Sequence, residues 1–290
     1  MSAIITRREV LKSTVGILGL SLLSAYEAFA MDNNRRFNIG ACDWSIQKMS
    51  EVEAIKVGKK IGLDGVQISL GNLGNDMHLR QEEIQLQYKN ACTEFGMNIG
   101  GIAIGEMNNI PYKSEPRAEQ WVSDSIDVAK KMGVGVVLLA FFHKGDLKND
   151  MKGTEETIRR LKKVSKKAED KGIILGIESW LSAKEHMEII DAVGSPNVQV
   201  YYDVANSNKM GYNIYEEIRY LGKKHICEFH AKENGYLLGQ GKIDFEEVKK
   251  AIDDINYEGW IQIEGAVPEN ADMFDSYISN NKFIRSVFKT

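Results

Sequence analysis

From Phe37 onward, short apolar runs rich in Ile and Val alternate with longer amphipathic, charge-bearing segments. That alternation restricts the chain to strand-helix units around a parallel sheet. Eight apolar runs recur: Asn38 to Asp43, Gly65 to Ser69, Asn98 to Ile104, Gly135 to Phe141, Ile173 to Glu178, Val198 to Asp203, His225 to His230 and Trp260 to Glu264. Their spacing of about 25 to 40 residues is the length of one strand-helix unit. Helical patterning fills the gaps, with Val52, Ile55, Lys56 and Lys59 to Ile61 leading to Gly62, and Ala118 to Met132 leading to Gly133. Glycine past the last helical residue is a stop signal, and the same punctuation recurs at Gly96, Gly172 and Gly259, each just before the next apolar run. An open doubly wound sheet would need a Gly-rich phosphate loop after the first strand to take a dinucleotide, and none is there. The pattern predicts an α/β fold of the (β/α)8 TIM barrel type, a single domain over residues 31–290.

Residues 1–30 read as a separate export signal. Thr6-Arg7-Arg8-Glu9-Val10-Leu11-Lys12 precedes a mostly apolar run from Ser13 to Leu23, and Ala28-Phe29-Ala30 supplies a small-x-small cleavage pattern. The paired arginines resemble the twin-arginine type, which implies export of the folded protein, to the periplasm. The apolar run is shorter than the roughly 18 residues that span a bilayer, so the mature chain is expected to carry no membrane span. No cysteine follows the run closely, which removes a lipoprotein anchor. Cleavage takes away three basic and two acidic residues, so the net charge of −4 becomes −5. An acidic chain without a basic stripe argues against a nucleic-acid partner. Cys42, Cys92 and Cys227 form no CxxC pair and read as core residues. A homo-oligomer stays open.

In an eight-stranded barrel the active site lies at the carboxyl ends of the strands, so polar residues that end apolar runs are the ones to collect. Strand five ends Gly176-Ile177-Glu178, strand six Tyr201-Tyr202-Asp203, strand seven Glu228-Phe229-His230 and strand eight Gln262-Ile263-Glu264. A single strand-end acid is more often a helix cap or an ion-pair partner than a metal ligand. Four consecutive strands ending in Glu178, Asp203, His230 and Glu264 would crowd like charges together unless a cation held them. Three carboxylates and one imidazole suit one divalent metal ion, Mn2+ or Mg2+ first, with Co2+ or Zn2+ as alternatives. Around them, His143 follows strand four and is a candidate proton shuttle or hydroxyl-orienting group, against a plain surface-loop histidine. Glu106 follows strand three, either to bind polar groups of a ligand or to cap a turn. Trp44 and Trp180 sit beside strand ends, to stack on a ligand or simply to pack. Lys232 is placed to face a developing oxyanion. His78, His186 and His225 read as structural.

The stretches Gly176-Ile177-Glu178, Tyr202-Asp203-Val204-Ala205-Asn206, Phe229-His230-Ala231-Lys232-Glu233, Leu238-Gly239-Gln240-Gly241-Lys242-Ile243-Asp244-Phe245 and Ile263-Glu264 resemble the xylose isomerase-like family of sugar isomerases and epimerases, which shares its barrel with endonuclease IV. The resemblance implies a carbohydrate substrate whose carbonyl and neighbouring hydroxyl are held by the metal. It also implies proton abstraction beside the carbonyl through an enediolate, with Glu178 and Glu264 as the acid/base pair. The family usually has Asp after the His-x-Lys of strand seven, where this chain has Glu233. Export favours an unphosphorylated sugar over a sugar phosphate. Two alternatives share the site: a 3-keto-glycoside lyase that expels the aglycone by β-elimination with His143 protonating it, and a non-catalytic sugar-binding protein. A multi-zinc repair nuclease would need more than five histidines and a basic face.

Overall fold

A computed structural model describes residues 36–290, and the export segment predicted at residues 1–30 lies outside them. Eight parallel strands close on themselves in sequence order: β1 (Phe37–Cys42), β2 (Gly65–Ser69), β3 (Asn98–Ile104), β4 (Val136–Phe141), β5 (Ile174–Ser179), β6 (Val198–Asp203), β7 (Ile226–Glu233) and β8 (Gly259–Gly265). Closure is made by β1, which pairs with β2 through Gly40 to Cys42 and with β8 through Phe37 to Ala41. Three of the predicted runs have the observed bounds, and the other five shift at one or both ends. The largest difference is β7, which runs on past His230 to Glu233.

Helices α1 (Glu53–Ile61), α2 (Glu82–Phe95), α3 (Pro116–Met132), α4 (Met151–Lys171), α5 (Ala183–Val193), α6 (Val204–Lys209), α7 (Ile214–His225), α8 (Phe245–Asp254) and α9 (Met273–Phe288) follow the strands among the described residues. Their apolar faces and the outward strand residues, such as Ile39, Val66, Ile102, Val137, Leu175 and Val200, form one continuous core. The inside of the barrel is different. Only Ala103, Val136, Leu138, Ala140 and Tyr201 make a small apolar cluster there, and Gln67, Glu228, His230 and Gln262 are buried beside it. Burying polar groups calls for partners, and Gln67, His230 and Glu228 find them in a network directly under the strand ends, while Gln262 Oε1 finds none among the described residues.

Four of the five predicted glycine stops hold: Gly62, Gly96, Gly133 and Gly172 each cap a helix in the left-handed conformation. Gly259 does not. α8 ends at Asp254, Asn256 takes the positive φ of 51°, and Gly259 opens β8 instead. No helix among the described residues is long and apolar enough to cross a membrane.

His186, read as structural, is buried in α5. Its Nδ1 lies 3.1 Å from the Ser182 carbonyl oxygen, so Nδ1–H donates there and Nε2 accepts from the Ser179 hydroxyl at 2.9 Å. Burial lowers its pKa from 6.5 to about 4. An unfolded histidine takes up a proton first as the pH falls, so this group contributes stability that is complete above pH 6.5 and is lost as the pH drops toward 4. The contribution is at most roughly 3 kcal/mol. Denaturant unfolding at pH 7.5 and 4.5 should show a smaller acid loss in His186→Gln than in the parent chain; equal losses would refute the assignment.

Candidate metal centre

The four strand-end residues converge. One ligand atom from each of Glu178, Asp203, His230 and Glu264 lies within 4.8 Å of the others. The sheet register is the cause, because Asp203 pairs with His230 across β6 and β7, and Lys232 pairs with Glu264 across β7 and β8. His230 Nδ1 is 2.9 Å from Glu178 Oε1, 3.4 Å from Glu264 Oε2 and 3.9 Å from Asp203 Oδ2. Lys232 Nζ lies 2.8 Å from Glu264 Oε2 and 3.5 Å from Asp203 Oδ2, and Trp44 Nε1–H donates to Glu264 Oε1 at 2.9 Å.

Asp203 does two jobs at once. Oδ1 caps α6 by accepting the Ala205 and Asn206 amides at 2.8 Å each, while Oδ2 is buried with no hydrogen bond among the described residues. A buried, hydrogen-bond-free carboxylate oxygen facing three other donors fits a hard divalent cation. The electrostatics agree. Burial raises the Asp203 pKa to about 7, with Lys232 opposing and Glu264 and Glu178 reinforcing the rise. Burial would also raise Glu264, but Lys232 and His230 overcome it and hold that carboxyl at about 2. Burial alone would lower His230, yet Cys42, Glu178 and Glu264 push it well above its ordinary value. The protein's own cations neutralise Glu264 and leave Asp203 short of positive charge. Glu178, Asp203, His230 and Glu264 could therefore bind one metal ion.

Above the cluster opens a cavity of about 480 Å3. Seven predicted site residues line it, namely Trp44, Glu106, His143, Glu178, Trp180, Lys232 and Glu264, while Asp203 and His230 are buried beneath its floor. His143 stands in the short turn His143–Gly145 with φ 52°, its ring 5.8 Å from that of Trp180. Trp180 is anchored through its carbonyl, which accepts from the Tyr212 hydroxyl at 3.1 Å. Glu106 combines both readings, since it lines the cavity and accepts from Asn109 Nδ2 at 3.3 Å.

Glu233 has a structural task. Its carboxylate accepts the Lys242 amide at 3.1 Å and the Ile243 amide at 3.4 Å, which pins the loop after β7. The Gly239-Gln240-Gly241 stretch is shaped for that fold-back: Gly239 has φ 78° against the Phe283 ring, and a Cβ on Gly241 would collide with the Glu233 carboxyl. Sequence reasoning missed the layer below the metal centre. Cys42, assigned only to the core, places Sγ 3.3 Å from His230 Nε2, and Gln67 Oε1 lies 3.0 Å from the same nitrogen. The sequence carries no signal that separates Gln67 from a polar strand residue facing water; its burial, with every other position of β2, is seen in the structure alone.

The strand ends of this (β/α)8 barrel gather three carboxylates and a histidine that could hold one metal ion below an open cavity. A profile of the xylose isomerase-like TIM barrel family matches residues 55–284, and the chain belongs to that family. It is 25% identical over 174 residues to a 2-epi-5-epi-valiolone 7-phosphate 2-epimerase of Actinoplanes sp., covering 60% of this chain and 64% of that protein. It is 28% identical over 123 residues to a D-psicose 3-epimerase of Enterocloster bolteae, covering 39% of this chain and 40% of that one. The aligned parts thus span less than two thirds of either relative. Among solved structures, the apo form of a 3-keto-D-glucoside 4-epimerase from E. coli shares the fold, with a TM-score of 0.71 at 14% identity over 86% of this chain and 99% of that one.

Proposed function

We propose that the chain is a divalent-metal-dependent sugar epimerase or isomerase that moves a proton beside a carbonyl of an unphosphorylated sugar. The observation that carries this is the pair Glu178 and Glu264, which reach both the ligand cluster and the cavity above it. Glu178 uses Oε1 toward His230 and takes no hydrogen bond on its other oxygen among the described residues, so that oxygen is free to accept a proton. Glu264 is committed on both oxygens, to Trp44 and to Lys232, and is held as a carboxylate. Glu178 is thus the base, and Glu264 the partner whose protonation Lys232 regulates from 2.8 Å. A bound Mn2+, Co2+, Mg2+ or Zn2+, with Mn2+ preferred, would supply positive charge where a carbonyl oxygen gains electron density. His143 and Glu106 are placed to orient hydroxyls, and Trp44 and Trp180 to flank a sugar ring.

The names of the two relatives and of the similar structure all describe epimerases, which supports this class of reaction. The unphosphorylated substrate rests on the proposed export, and the cavity wall carries few cations among the described residues. Lys232 is engaged by Glu264 and Asp203, so Lys209 is the one lysine lining the cavity that has no ion pair among the described residues, and no arginine lines it. Export of the chain is part of the same proposal and rests on the arginine pair and apolar run of residues 6–23.

Incubation with free ketoses, aldoses and keto-glycosides, followed by mass and NMR analysis of products, tests the reading. A product of unchanged mass with inverted or relocated stereochemistry is the expected result. Release of an aglycone would instead mean elimination or hydrolysis, and an unsaturated sugar product beside it would establish elimination by the same carboxylates, with His143 at the departing oxygen. Sugar binding without turnover in the metal-loaded protein would establish a binding protein.

A further inference from the structure

We infer that Gln67 is a positioning residue for the metal centre: its side-chain carbonyl keeps a proton on His230 Nε2 and thereby leaves Nδ1 to face the three carboxylates. This rests on the metal reading above and extends it into the barrel interior. Gln67 Oε1 is 3.0 Å from His230 Nε2 and 3.2 Å from Cys42 Sγ, and Gln67 Nε2 is 3.0 Å from the Tyr201 hydroxyl. The Tyr201 hydroxyl is in turn 2.9 Å from Glu228 Oε2. All five groups are buried, so water cannot make up a missing partner.

Counting hydrogens decides the orientation of the amide, which heavy-atom positions alone do not. With the carbonyl toward His230, each of these contacts pairs one hydrogen with one lone pair: His230 Nε2–H and the Cys42 thiol both reach Gln67 Oε1, which has two lone pairs. Gln67 Nε2–H reaches Tyr201, and Tyr201 O–H reaches Glu228. Turning the amide over breaks this. The Cys42 thiol and the Gln67 N–H would then compete for the single lone pair of His230 Nε2. Tyr201 would have two acceptors and one hydrogen. A proton on Glu228 would repair the second fault and not the first.

The chain also runs in one direction, from imidazole to amide to phenol to carboxylate, and each donor polarises the next. Its effect at the upper end is to fix the ring's tautomer and rotation, as the partner of a ligating histidine's second nitrogen does generally. The Tyr201 ring, 4.6 Å from that of His230, closes one side of the imidazole.

The test is metal affinity together with the position of one proton. In the parent chain loaded with Zn2+ as a diamagnetic probe, 15N NMR should show His230 protonated at Nε2. By calorimetry, Gln67→Leu and Gln67→Met should weaken Mn2+ binding about 10- to 100-fold. Gln67→Glu, which keeps an oxygen toward His230, should recover most of that loss. Mn2+ binding within twofold of the parent in the Leu and Met variants overturns the role, as does a parent spectrum with the proton on Nδ1. A loss that Gln67→Glu fails to recover means packing and overturns it as well. If no variant folds, the parent spectrum decides. A parent chain that binds no metal refutes the metal reading itself, whereas the sugar chemistry is judged separately by its products.

Discussion

Glu178→Gln is expected to lower kcat by about 100- to 10,000-fold, the range that a positioned general base contributes. The exchange keeps the side chain's size and leaves an amide oxygen where Oε1 meets His230 Nδ1 at 2.9 Å. It removes the ability to take a proton on the oxygen that no group among the described residues engages. Steady-state kinetics should therefore show the loss in kcat with KM changed far less, because the hydroxyl-facing wall of the cavity is untouched. Deuterium from solvent should also stop entering the substrate carbon. Metal content must be measured alongside, since Glu178 belongs to the ligand cluster as well. A variant that holds metal and turns over within tenfold of the parent would reduce Glu178 to a ligand with no proton role. Glu264→Gln makes the informative comparison. It strips Lys232 of its nearest carboxylate at 2.8 Å and weakens the support from Trp44, so it should impair both metal retention and rate.

The site was legible in the sequence to the depth at which barrel geometry alone positions residues. Parallel strands in register present their last residues at one end, so Glu178, Asp203, His230 and Glu264 could be collected from the ends of apolar runs without knowing any side-chain contact. The cavity wall followed for the same reason, because Trp44, Glu106, His143 and Trp180 all lie within a few residues of a strand end. Gln67 and Glu228 were not legible. Each lies within a strand, pointing into the barrel, and one-dimensional patterning does not separate an inward polar residue with partners on three other strands from an edge position facing water. Glu233 stands where the resembling family usually has Asp, a substitution that gave the sequence no task to assign, and the longer β7 turns its carboxylate toward the Lys242 and Ile243 amides. Gly259 looked like a helix stop because glycine before an apolar run usually is one. Asn256, the other residue type that tolerates positive φ, took that task three residues earlier.

Rigorous chelation is expected to abolish turnover, and Mn2+ or Co2+ to restore it, with thermal stability following the metal. Three carboxylates share a space in which, among the described residues, His230 and Lys232 are the protein cations that reach them and Asp203 Oδ2 has no hydrogen bond. A divalent ion that binds only the folded chain adds about 2.7 kcal/mol at a concentration 100 times its dissociation constant. For a chain of this size that corresponds to a rise in Tm of roughly 5 to 10 °C. Asp203 and His230 hold their protons to unusually high pH in the metal-free protein, so loading releases protons and apparent affinity should climb from pH 6 to 8. Lys232→Met separates the two sources of positive charge. It removes the ammonium 3.5 Å from Asp203 Oδ2, which should lower the stability of the metal-free chain and enlarge the gain in Tm on adding Mn2+. Turnover that survives complete metal removal, or a Tm indifferent to Mn2+ in both chains, would leave the four strand ends as an ion-pair cluster and take the metal out of the mechanism.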